Sequence, residues 1–508
     1  MTRPIAVRPD DRNNQRLLAN TRPADWQNPK PRDRYDLVVI GAGTAGLISA
    51  AIAAGLGARV ALVERELLGG DCLNYGCVPS KSLIRAARWI AEARRASALL
   101  GTGAGKPEVD FAAAMERVRR IRAQISREDS ARRYRDELGV AVFLGSARFV
   151  ARDSIEVDGA KLRFKKAVIA TGARAAIPAL EGLERAGYLT NETVFELTEP
   201  PARLGVIGGG PIGAELAQAF RRLGCEVAVF GRSPQLLPRE DADASRLLQQ
   251  QFEREGIDLR LGCALRRVEL RERAKRIELV EADGTRASVD VDAILVATGR
   301  APNVEGMNLE AAGVAYDESR GVHVDDTLRT DNPRIYAAGD VAMAWKFTHA
   351  ADAAAKIAVR NALFWRNQKL SSLVMPRCTY TDPEIAQVGL GAREAAERGI
   401  ELASFEVPLS DVNRAVIDGE ELGFVKLHLA ARSDRILGAT IVASHAGELI
   451  SEVTLAMTNG LGLGAIQRTI HPYPTQAEAL KRVAGAYTRS RLTPRLRWLL
   501  ARHFSLRG

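Results

Sequence analysis

Two glycine-rich turns, each between a strand-like apolar run and a helix-like run, constrain the fold of this 508-residue chain most strongly. The first turn holds Gly41, Gly43 and Gly46 and follows the apolar residues 38–40. In this spacing the first glycine permits a tight bend, the second lets a pyrophosphate approach the backbone, and the third lets helix and strand pack closely. Thr44 opens the helix-like run. The pattern predicts a βαβ unit that binds a dinucleotide.

An acidic residue ends the next strand-like run of this unit. Residues 59–63 are mostly apolar and lead into Glu64. A carboxylate at the end of the second strand accepts hydrogen bonds from ribose hydroxyls. The acid in register with the glycine turn strengthens the prediction of dinucleotide binding.

The same pattern recurs at Gly208, Gly210 and Gly213, which predicts a second, duplicated nucleotide-binding unit. At the position equivalent to Glu64 this unit has Gly231, followed by Arg232. A cation in place of the acid suits a 2′-phosphate, so we expect NADPH rather than NADH here.

The NADPH prediction has one rival explanation. Arg232 is also consistent with a solvated arginine in a basic protein, and Arg239 is a second candidate for the phosphate contact.

Cys72 and Cys77 follow the first unit and predict a redox-active pair. Pro79 suits the first turn of a helix, and residues 82–90 have helical apolar spacing. A helix N-terminus stabilises a thiolate, and Lys81 adds a cation one turn inside. The alternatives are inert buried thiols or half of a zinc site. No second Cys/His pair of zinc-site spacing accompanies them, so we predict no resident metal.

Composition limits the partners. The formal net charge is +10, but the arginines are spread over helix-like runs without stacking aromatic residues, which argues against a nucleic-acid surface. Residues 1–34 lack the apolar core of a signal peptide, so we expect a mobile or surface-draped arm on a cytoplasmic protein. Residues 487–504 are basic and amphipathic; we favour a helix packed on protein over a weak contact with an anionic membrane surface.

Further motifs complete a resemblance to class I pyridine nucleotide–disulfide oxidoreductases, which include glutathione reductase and dihydrolipoamide dehydrogenase, within the mercuric-reductase-like branch. The resemblance runs from about residue 35 to about residue 487. It is carried by two strand-end turns, a second flavin motif and the start of a dimerisation domain: Thr171 and Gly172, Gly299 and Arg300, Gly339 and Asp340, and residues 380–384.

The resemblance implies an α/β fold with two Rossmann-like dinucleotide-binding domains, for FAD and NADPH, and a C-terminal α+β dimerisation domain. The expected division is an N-terminal arm at 1–34, the first part of the FAD domain at 35–186, the NAD(P)H domain at 187–302, an FAD-domain return segment at 303–370, the dimerisation domain at 371–487 and a basic tail at 488–508.

The resemblance also implies the order of electron transfer, from NADPH to FAD and then to the cysteine pair. Cys77 would face the flavin as the thiolate, and Cys72 would face the acceptor. Lys81 would lie by the flavin, paired with Glu215, while Asp340 would bind the ribityl hydroxyls. The alternatives are an ordinary first-turn acid for Glu215 and an ordinary turn aspartate for Asp340.

One departure from the thiol–disulfide members concerns the C-terminal acid–base residue. Those members carry a histidine before Pro-Thr, with a glutamate five residues on; here Tyr473 takes the histidine position and Glu478 follows. A phenol, with an ordinary pKa of ~10, shuttles protons poorly near neutrality but suits a ligand or a hydrogen bonder. We interpret His471 as structural. In the family each C-terminal domain closes the other subunit's disulfide pocket, which implies a homodimer with shared active sites.

The acceptor stays open at this point. Mercuric reductases carry a vicinal cysteine pair near the C-terminus, whereas no cysteine follows Cys378 here, and Pro211 replaces a gating tyrosine. The sequence predicts an FAD-dependent NADPH oxidoreductase that reduces a metal ion, a quinone or a small disulfide. The alternatives are a dihydrolipoamide- or glutathione-type reductase and, in another class, a flavin-bearing redox sensor or membrane-surface scaffold.

Overall fold

The structure, a computed structural model, describes residues 5, 7–101 and 109–506. It divides into two compact units, which are Met1–Pro234 with Glu255–Leu373, and Gln235–Arg254 with Val374–Gly508. The finer division into domains that the sequence suggests stays a prediction.

Helices occur in both units. In chain order they are α1 (Arg12–Thr21), α2 (Thr44–Gly55), α3 (Gly70–Asn74), α4 (Cys77–Leu100), α5 (Phe111–Ile125), α6 (Ala131–Asp136), α7 (Leu183–Ala186), α8 (Pro211–Arg222), α9 (Ala242–Arg254), α10 (Leu309–Ala312), α11 (Thr348–Leu363), α12 (Ala392–Glu397), α13 (Asn413–Asp418), α14 (Ala446–Thr458), α15 (Leu463–Arg468), α16 (Glu478–Ser490) and α17 (Pro494–Ser505).

Strands form the sheets that these helices cover. In chain order they are β1 (Tyr35–Ile40), β2 (Val60–Glu64), β3 (Ala141–Leu144), β4 (Ala147–Ala151), β5 (Ser154–Val157), β6 (Ala160–Ile169), β7 (Ala173–Ala175), β8 (Arg203–Ile207), β9 (Glu226–Gly231), β10 (Asp258–Leu261), β11 (Ala264–Leu270), β12 (Lys275–Val280), β13 (Arg286–Val291), β14 (Ala293–Val296), β15 (Arg300–Pro302), β16 (Tyr316–Asp317), β17 (Gly321–Val322), β18 (Ile335–Ala337), β19 (Pro376–Thr379), β20 (Glu384–Gly389), β21 (Leu402–Pro408), β22 (Phe424–Ala430) and β23 (Ile436–Ala443).

A seven-stranded sheet organises the first unit. Its order is β3-β2-β1-β6-β5-β4, with β18 also paired to β6. The central strand β1 runs parallel to β2 and β6, with Val39 opposite Leu62 and Val168. Because β1 has neighbours on both sides and helices over its faces, it is an almost continuous apolar run rather than an alternating one. Helices α2 and α11 pack together beside it.

A second, four-stranded parallel sheet with the order β10-β9-β8-β14 also belongs to the first unit. An antiparallel sheet, β11-β12-β13, adjoins it in sequence. The short strands β7 and β15 pair antiparallel with each other, with Ala301 opposite Arg174. Both sheets have a parallel core in which a strand leads through a glycine turn into a helix, which agrees with the predicted pair of Rossmann-like units.

The second unit is built on a five-stranded antiparallel sheet with the order β19-β20-β23-β22-β21. Strands β20 and β23 pack against α14, and α16 packs against β21 and β22. The apolar core between these layers includes Leu427, Ile441, Ile450 and Leu480. This is the α+β arrangement expected for the C-terminal part.

The ends of the chain differ in burial. Helix α1, in the predicted N-terminal arm, buries Asn14, Leu17 and Thr21. Helix α17, in the basic tail, buries no residue. No helix within the described ranges combines the length and the apolarity that crossing a membrane requires.

Candidate active site

The glycine turns have the same geometry in both nucleotide-binding units. Gly41 and Gly208 directly follow β1 and β8 and have φ values of +99° and +123°, a region that L side chains rarely adopt. A Cβ on Gly46 would overlap the carbonyl oxygen of Gly41, and a Cβ on Gly213 would overlap that of Gly208. Each turn therefore requires glycine at its first and last positions, because helix and strand backbones are in contact there.

The first turn fits an FAD pyrophosphate and ribose. A Cβ on Gly43 would meet Gly70 Cα at 3.7 Å and would fill part of the space before α2, which begins at Thr44. The Glu64 carboxylate accepts from the Ala42 N–H at 2.6 Å and, through its other oxygen, from a second backbone N–H. Burial raises the pKa of Glu64. Each carboxylate oxygen keeps a lone pair that a ribose hydroxyl can use.

The two strand-end turns meet at the β7–β15 pair. Thr171 Oγ1 donates to the Asn303 carbonyl at 2.7 Å, and Asn303 Nδ2 donates to the Thr171 carbonyl at 2.9 Å. Gly172 and Gly299 adopt φ values of +68° and +145°. Arg300 donates to a carbonyl of β7 at 2.6 Å. The chain passes between the seven-stranded and the four-stranded sheet twice, and these contacts join the two connecting segments.

The second flavin motif, Gly339 and Asp340, lies against helix α2, which follows the first glycine turn. Gly339 has a φ of +82°, and a Cβ there would be 3.1 Å from the Ala45 side chain in α2. Burial raises the pKa of Asp340, and Lys346 donates to the Asp340 backbone carbonyl. The Asp340 carboxylate has no hydrogen-bond partner among the residues that the structure describes, so its oxygens are free to accept from a bound group. The donor and acceptor set of this pocket fits FAD.

The cysteine pair lies where the short helix α3 leads into the long helix α4. Cys72 is in α3 and Cys77 is the first residue of α4; both are free thiols. The Cys77 sulfur lies 3.2 Å from Thr348 Oγ1 at the start of α11. The pKa of Cys77 is lowered to about 6, chiefly by the Cys72 thiol and further by Thr348 and the charge of Lys81. The pKa of Cys72 is raised. These directions agree with the expectation that Cys77, rather than Cys72, carries the negative charge when the pair is reduced.

The ion pair between Lys81 and Glu215 that the resemblance implies is present in the structure. Lys81 Nζ lies 2.7 Å from Glu215 Oε2. The Glu215 side chain, on α8, is 6 % exposed and the Lys81 side chain 36 %. The buried carboxylate holds the lysine one turn from Cys77, which links α4 of the cysteine pair to α8 of the second glycine turn.

Three residues near the cysteines, Thr348, Asp71 and Asn191, were not predicted as site residues. Thr348 is 271 residues from Cys77, so no local pattern indicated the contact. Asp71 lies beside Cys72 in the sequence and accepts from Asn191 Nδ2 at 2.9 Å and from Arg300 Nη1 at 3.2 Å. Only the adjacency of Asp71 to the cysteine was a sequence signal.

The second glycine turn has open space beside Gly210 and an exposed arginine, Arg232, after the next strand. A Cβ on Gly210 would meet nothing within 4 Å, which leaves room for a pyrophosphate. Gly231 ends β9 and is buried, whereas Arg232 is exposed. Within the described part of the chain Arg232 has no hydrogen-bond or ion-pair partner. These features fit the nicotinamide dinucleotide.

Tyr473 and Glu478 belong to the second unit, whereas the cysteine pair belongs to the first. Tyr473 is 69 % exposed, and its hydroxyl accepts from Asn413 Nδ2 at 3.0 Å. One oxygen of Glu478 pairs with an arginine one turn on, and Oε2 is buried without a partner in the described residues. The His471 side chain is 4 % exposed and lies 3.0 Å from Glu452, as a structural histidine does.

Comparisons with known proteins agree with this geometry. Residues 35–355 match the family of pyridine nucleotide-disulphide oxidoreductases, and residues 375–484 match the dimerisation domain of that family. A mercuric reductase of Lysinibacillus sphaericus is 38% identical over 89% of this chain and 82% of its own length. A dihydrolipoyl dehydrogenase of Chlamydia muridarum is 33% identical over 88% of this chain and 95% of its own length.

A solved structure shares the fold. The Cu(II) complex of the HOCl-induced flavoprotein disulfide reductase RclA from Escherichia coli superposes with a TM-score of 0.80 at 27% identity, over 90% of this chain and 100% of that one. The family consists of FAD-containing, NAD(P)H-dependent flavoprotein disulfide reductases. With matched domains over most of its length and both nucleotide turns in place, this chain belongs to the family of class I pyridine nucleotide–disulfide oxidoreductases.

Proposed function

We propose that this protein uses NADPH to reduce its cysteine pair and passes the electrons from that pair to a thiophilic metal ion. The observation that carries the proposal is the asymmetry of the pair. Cys77, held by Thr348 and near Lys81, has a pKa lowered to about 6, whereas the pKa of Cys72 is raised. The two sulfurs are thus suited to different tasks, Cys77 toward the flavin and Cys72 toward the acceptor.

The cofactor supplies one part of the chemistry. FAD, when bound, relays two electrons from the nicotinamide to the disulfide. In the proposal, Gly43 and Glu64 hold its pyrophosphate and ribose, and Asp340 binds its ribityl hydroxyls. The Lys81–Glu215 pair keeps a cation near the thiolate, which stabilises the charge on sulfur.

The nicotinamide preference follows from Arg232. An exposed guanidinium without a partner in the described chain, at the position where an acid would bind the ribose of NADH, suits the 2′-phosphate of NADPH. Guanidinium groups bind phosphate through charge-assisted hydrogen bonds.

The acceptor follows from the relatives and from Tyr473. Relatives at 38% identity are named mercuric reductases, and the similar RclA structure is a Cu(II) complex. Two neighbouring thiols offer soft sulfur donors, which thiophilic metal ions prefer. Tyr473 replaces the histidine that thiol–disulfide chemistry uses, which disfavours a small disulfide as the acceptor.

The assembly in the proposal is a homodimer with shared active sites. The matched dimerisation domain supports the homodimer. Tyr473 is largely exposed on the unit that carries this domain, and one Glu478 oxygen has no partner within the described residues. Both residues would complete the disulfide pocket of the other subunit.

An anaerobic acceptor screen tests the proposal. NADPH oxidation is followed with Hg(II), Cu(II), a quinone and a small disulfide, each with the unmodified protein and with Cys72→Ser. We expect steady turnover with a metal ion that Cys72→Ser abolishes. Metal turnover that survives in Cys72→Ser would contradict the role of the pair. No steady NADPH oxidation with any acceptor would favour a redox sensor over an enzyme.

A further inference from the structure

Helix α1 lies outside the matched family range of 35–355 but is connected to the helix that carries Cys72. The connection runs through Arg122 of α5, which is 2% exposed. Arg122 Nη2 donates to Asn14 Oδ1 in α1 at 2.6 Å, and Nη1 donates to the Asn74 carbonyl at the end of α3 at 2.9 Å. One buried guanidinium thus joins α1 to α3.

Two further contacts hold the same segments together. The backbone N–H of Leu68 donates to the Thr21 carbonyl at 3.3 Å, just before α3 begins. Leu17 of α1, Leu67 and Leu73 share one buried apolar cluster. Leu73 directly follows Cys72, so α1 packs against the residue next to the reactive sulfur.

Helix α3 needs such external contacts. It has five residues, fewer than an isolated helix requires for stability. It is entered through Gly69 and Gly70, whose φ values of +91° and +55° are accessible mainly to glycine. A short helix that begins at the second of two glycines depends on neighbouring elements to fix its position.

We propose that α1 is a clamp that positions Cys72 against Cys77 through Asn14 and Arg122. The inference rests on the proposed redox role of the pair. Asn14 and Arg122 act on the pair through the Asn74 carbonyl at the end of α3, so they are positioning residues. A looser α3 lowers the effective concentration of one thiol at the other, which weakens their disulfide.

A matched pair of variants on one helix tests the clamp. Asn14→Ala removes the acceptor of Arg122, whereas Asn20→Ala removes a hydrogen bond from Asn20 Nδ2 to Ser126 Oγ at 2.9 Å and leaves Arg122 intact. The FAD-loaded proteins are equilibrated in defined mixtures of reduced and oxidised dithiothreitol. The ratio of disulfide to dithiol at Cys72 and Cys77 is measured by differential alkylation and mass spectrometry.

We expect Asn14→Ala to weaken the disulfide at least about threefold, and Asn20→Ala to leave it unchanged. Asn14→Asp retains an oxygen for Arg122 and adds an acid in the first turn of a helix, where it is favourable. It should therefore restore the equilibrium of the unmodified protein. An unchanged equilibrium in Asn14→Ala, an equal shift in Asn20→Ala, or no restoration in Asn14→Asp would each overturn the clamp. If the unmodified protein forms no Cys72–Cys77 disulfide at all, the proposed function fails as well.

Discussion

At the scale of single residues, the contacts of Cys77 explain why two thiols in one motif differ. Cys77 lies at the N-terminus of α4, 3.2 Å from the Thr348 hydroxyl and near the charge of Lys81. Each of these features stabilises a negative charge on sulfur. For Cys72, the hydrogen bond to Cys77 and burial outweigh the hydrogen bond from Thr348 and raise the pKa.

Thr348→Val tests the hydroxyl contact. A hydrogen bond to a charged group contributes about 1.5–3 kcal/mol, so its loss should move the Cys77 titration upward by about one to two pH units. The readout is the long-wavelength absorbance that a thiolate gives beside oxidised flavin, followed against pH in Cys72→Ser. The thiolate of the Thr348→Val variant should be lost first as pH falls. Thr348→Ser keeps the hydroxyl and is the control; equal midpoints for Val and Ser would disprove the contact's role.

Arg232→Ala tests the nicotinamide preference. A charge-assisted phosphate contact of about 1.5–3 kcal/mol corresponds to roughly ten- to hundredfold in affinity, so kcat/KM for NADPH should fall by that factor while kcat/KM for NADH stays. Arg232→Lys should retain part of the preference. Adding an acid at Gly231 is a poorer test, because a Cβ there would meet Leu261 Cδ2 at 2.8 Å. Faster flavin reduction by NADH in the unmodified protein would show the assignment to be wrong.

At the scale of elements, the third glycine of each turn decides how closely a helix approaches its strand. A Cβ on Gly213 would overlap the Gly208 carbonyl, whereas a Cβ on Gly210 would meet nothing within 4 Å. The same substitution at the two positions therefore separates packing from binding.

Gly210→Ala and Gly213→Ala should fail in different ways. Alanine ordinarily stabilises a helix relative to glycine by about 0.5–1 kcal/mol, but at Gly213 the overlap outweighs this gain and the melting temperature should fall. Gly210→Ala should melt like the unmodified protein and bind NADPH more weakly, because its methyl group occupies the pyrophosphate's space. Thermal melting and NADPH titration of both variants check this. A melting temperature of Gly213→Ala at or above that of the unmodified protein would count against the packing argument.

At the scale of the whole molecule, the separation of Tyr473 from the cysteines into different units bears on assembly. The family's dimerisation domain covers residues 375–484 and includes both Tyr473 and Glu478. If these residues serve the other subunit, flavin reduction by NADPH is a property of one chain, whereas acceptor turnover requires two.

Mixed dimers test the shared site. Cys72→Ser and Tyr473→Phe subunits should each be inactive toward the acceptor as pure dimers. After equal mixing and random subunit exchange, half of the dimers are heterodimers and half of their sites are intact, so about a quarter of the unmodified activity should return. The rate of flavin reduction should not change. Full turnover by pure Tyr473→Phe would make the tyrosine structural, and a monomer that turns over would reject the shared site.

The sequence by itself determined the two glycine turns and identified the cysteine pair as the candidate redox site. Gly41, Gly46, Gly208 and Gly213 were identifiable because a positive φ or a backbone contact excludes other residues, so these requirements appear as a local pattern. The cysteine pair was identifiable because both thiols lie in one short segment at a helix start.

Only the tertiary structure decided which groups surround that pair. Thr348 reaches Cys77 across 271 residues, Arg300 reaches Asp71 across 229, and Asn14 is joined to Asn74 through Arg122. A hydroxyl, a guanidinium or an amide of this kind looks like any other in the sequence. Its role arises from packing, which brings it beside a sulfur or a short helix in a buried region where a single hydrogen bond fixes position and charge.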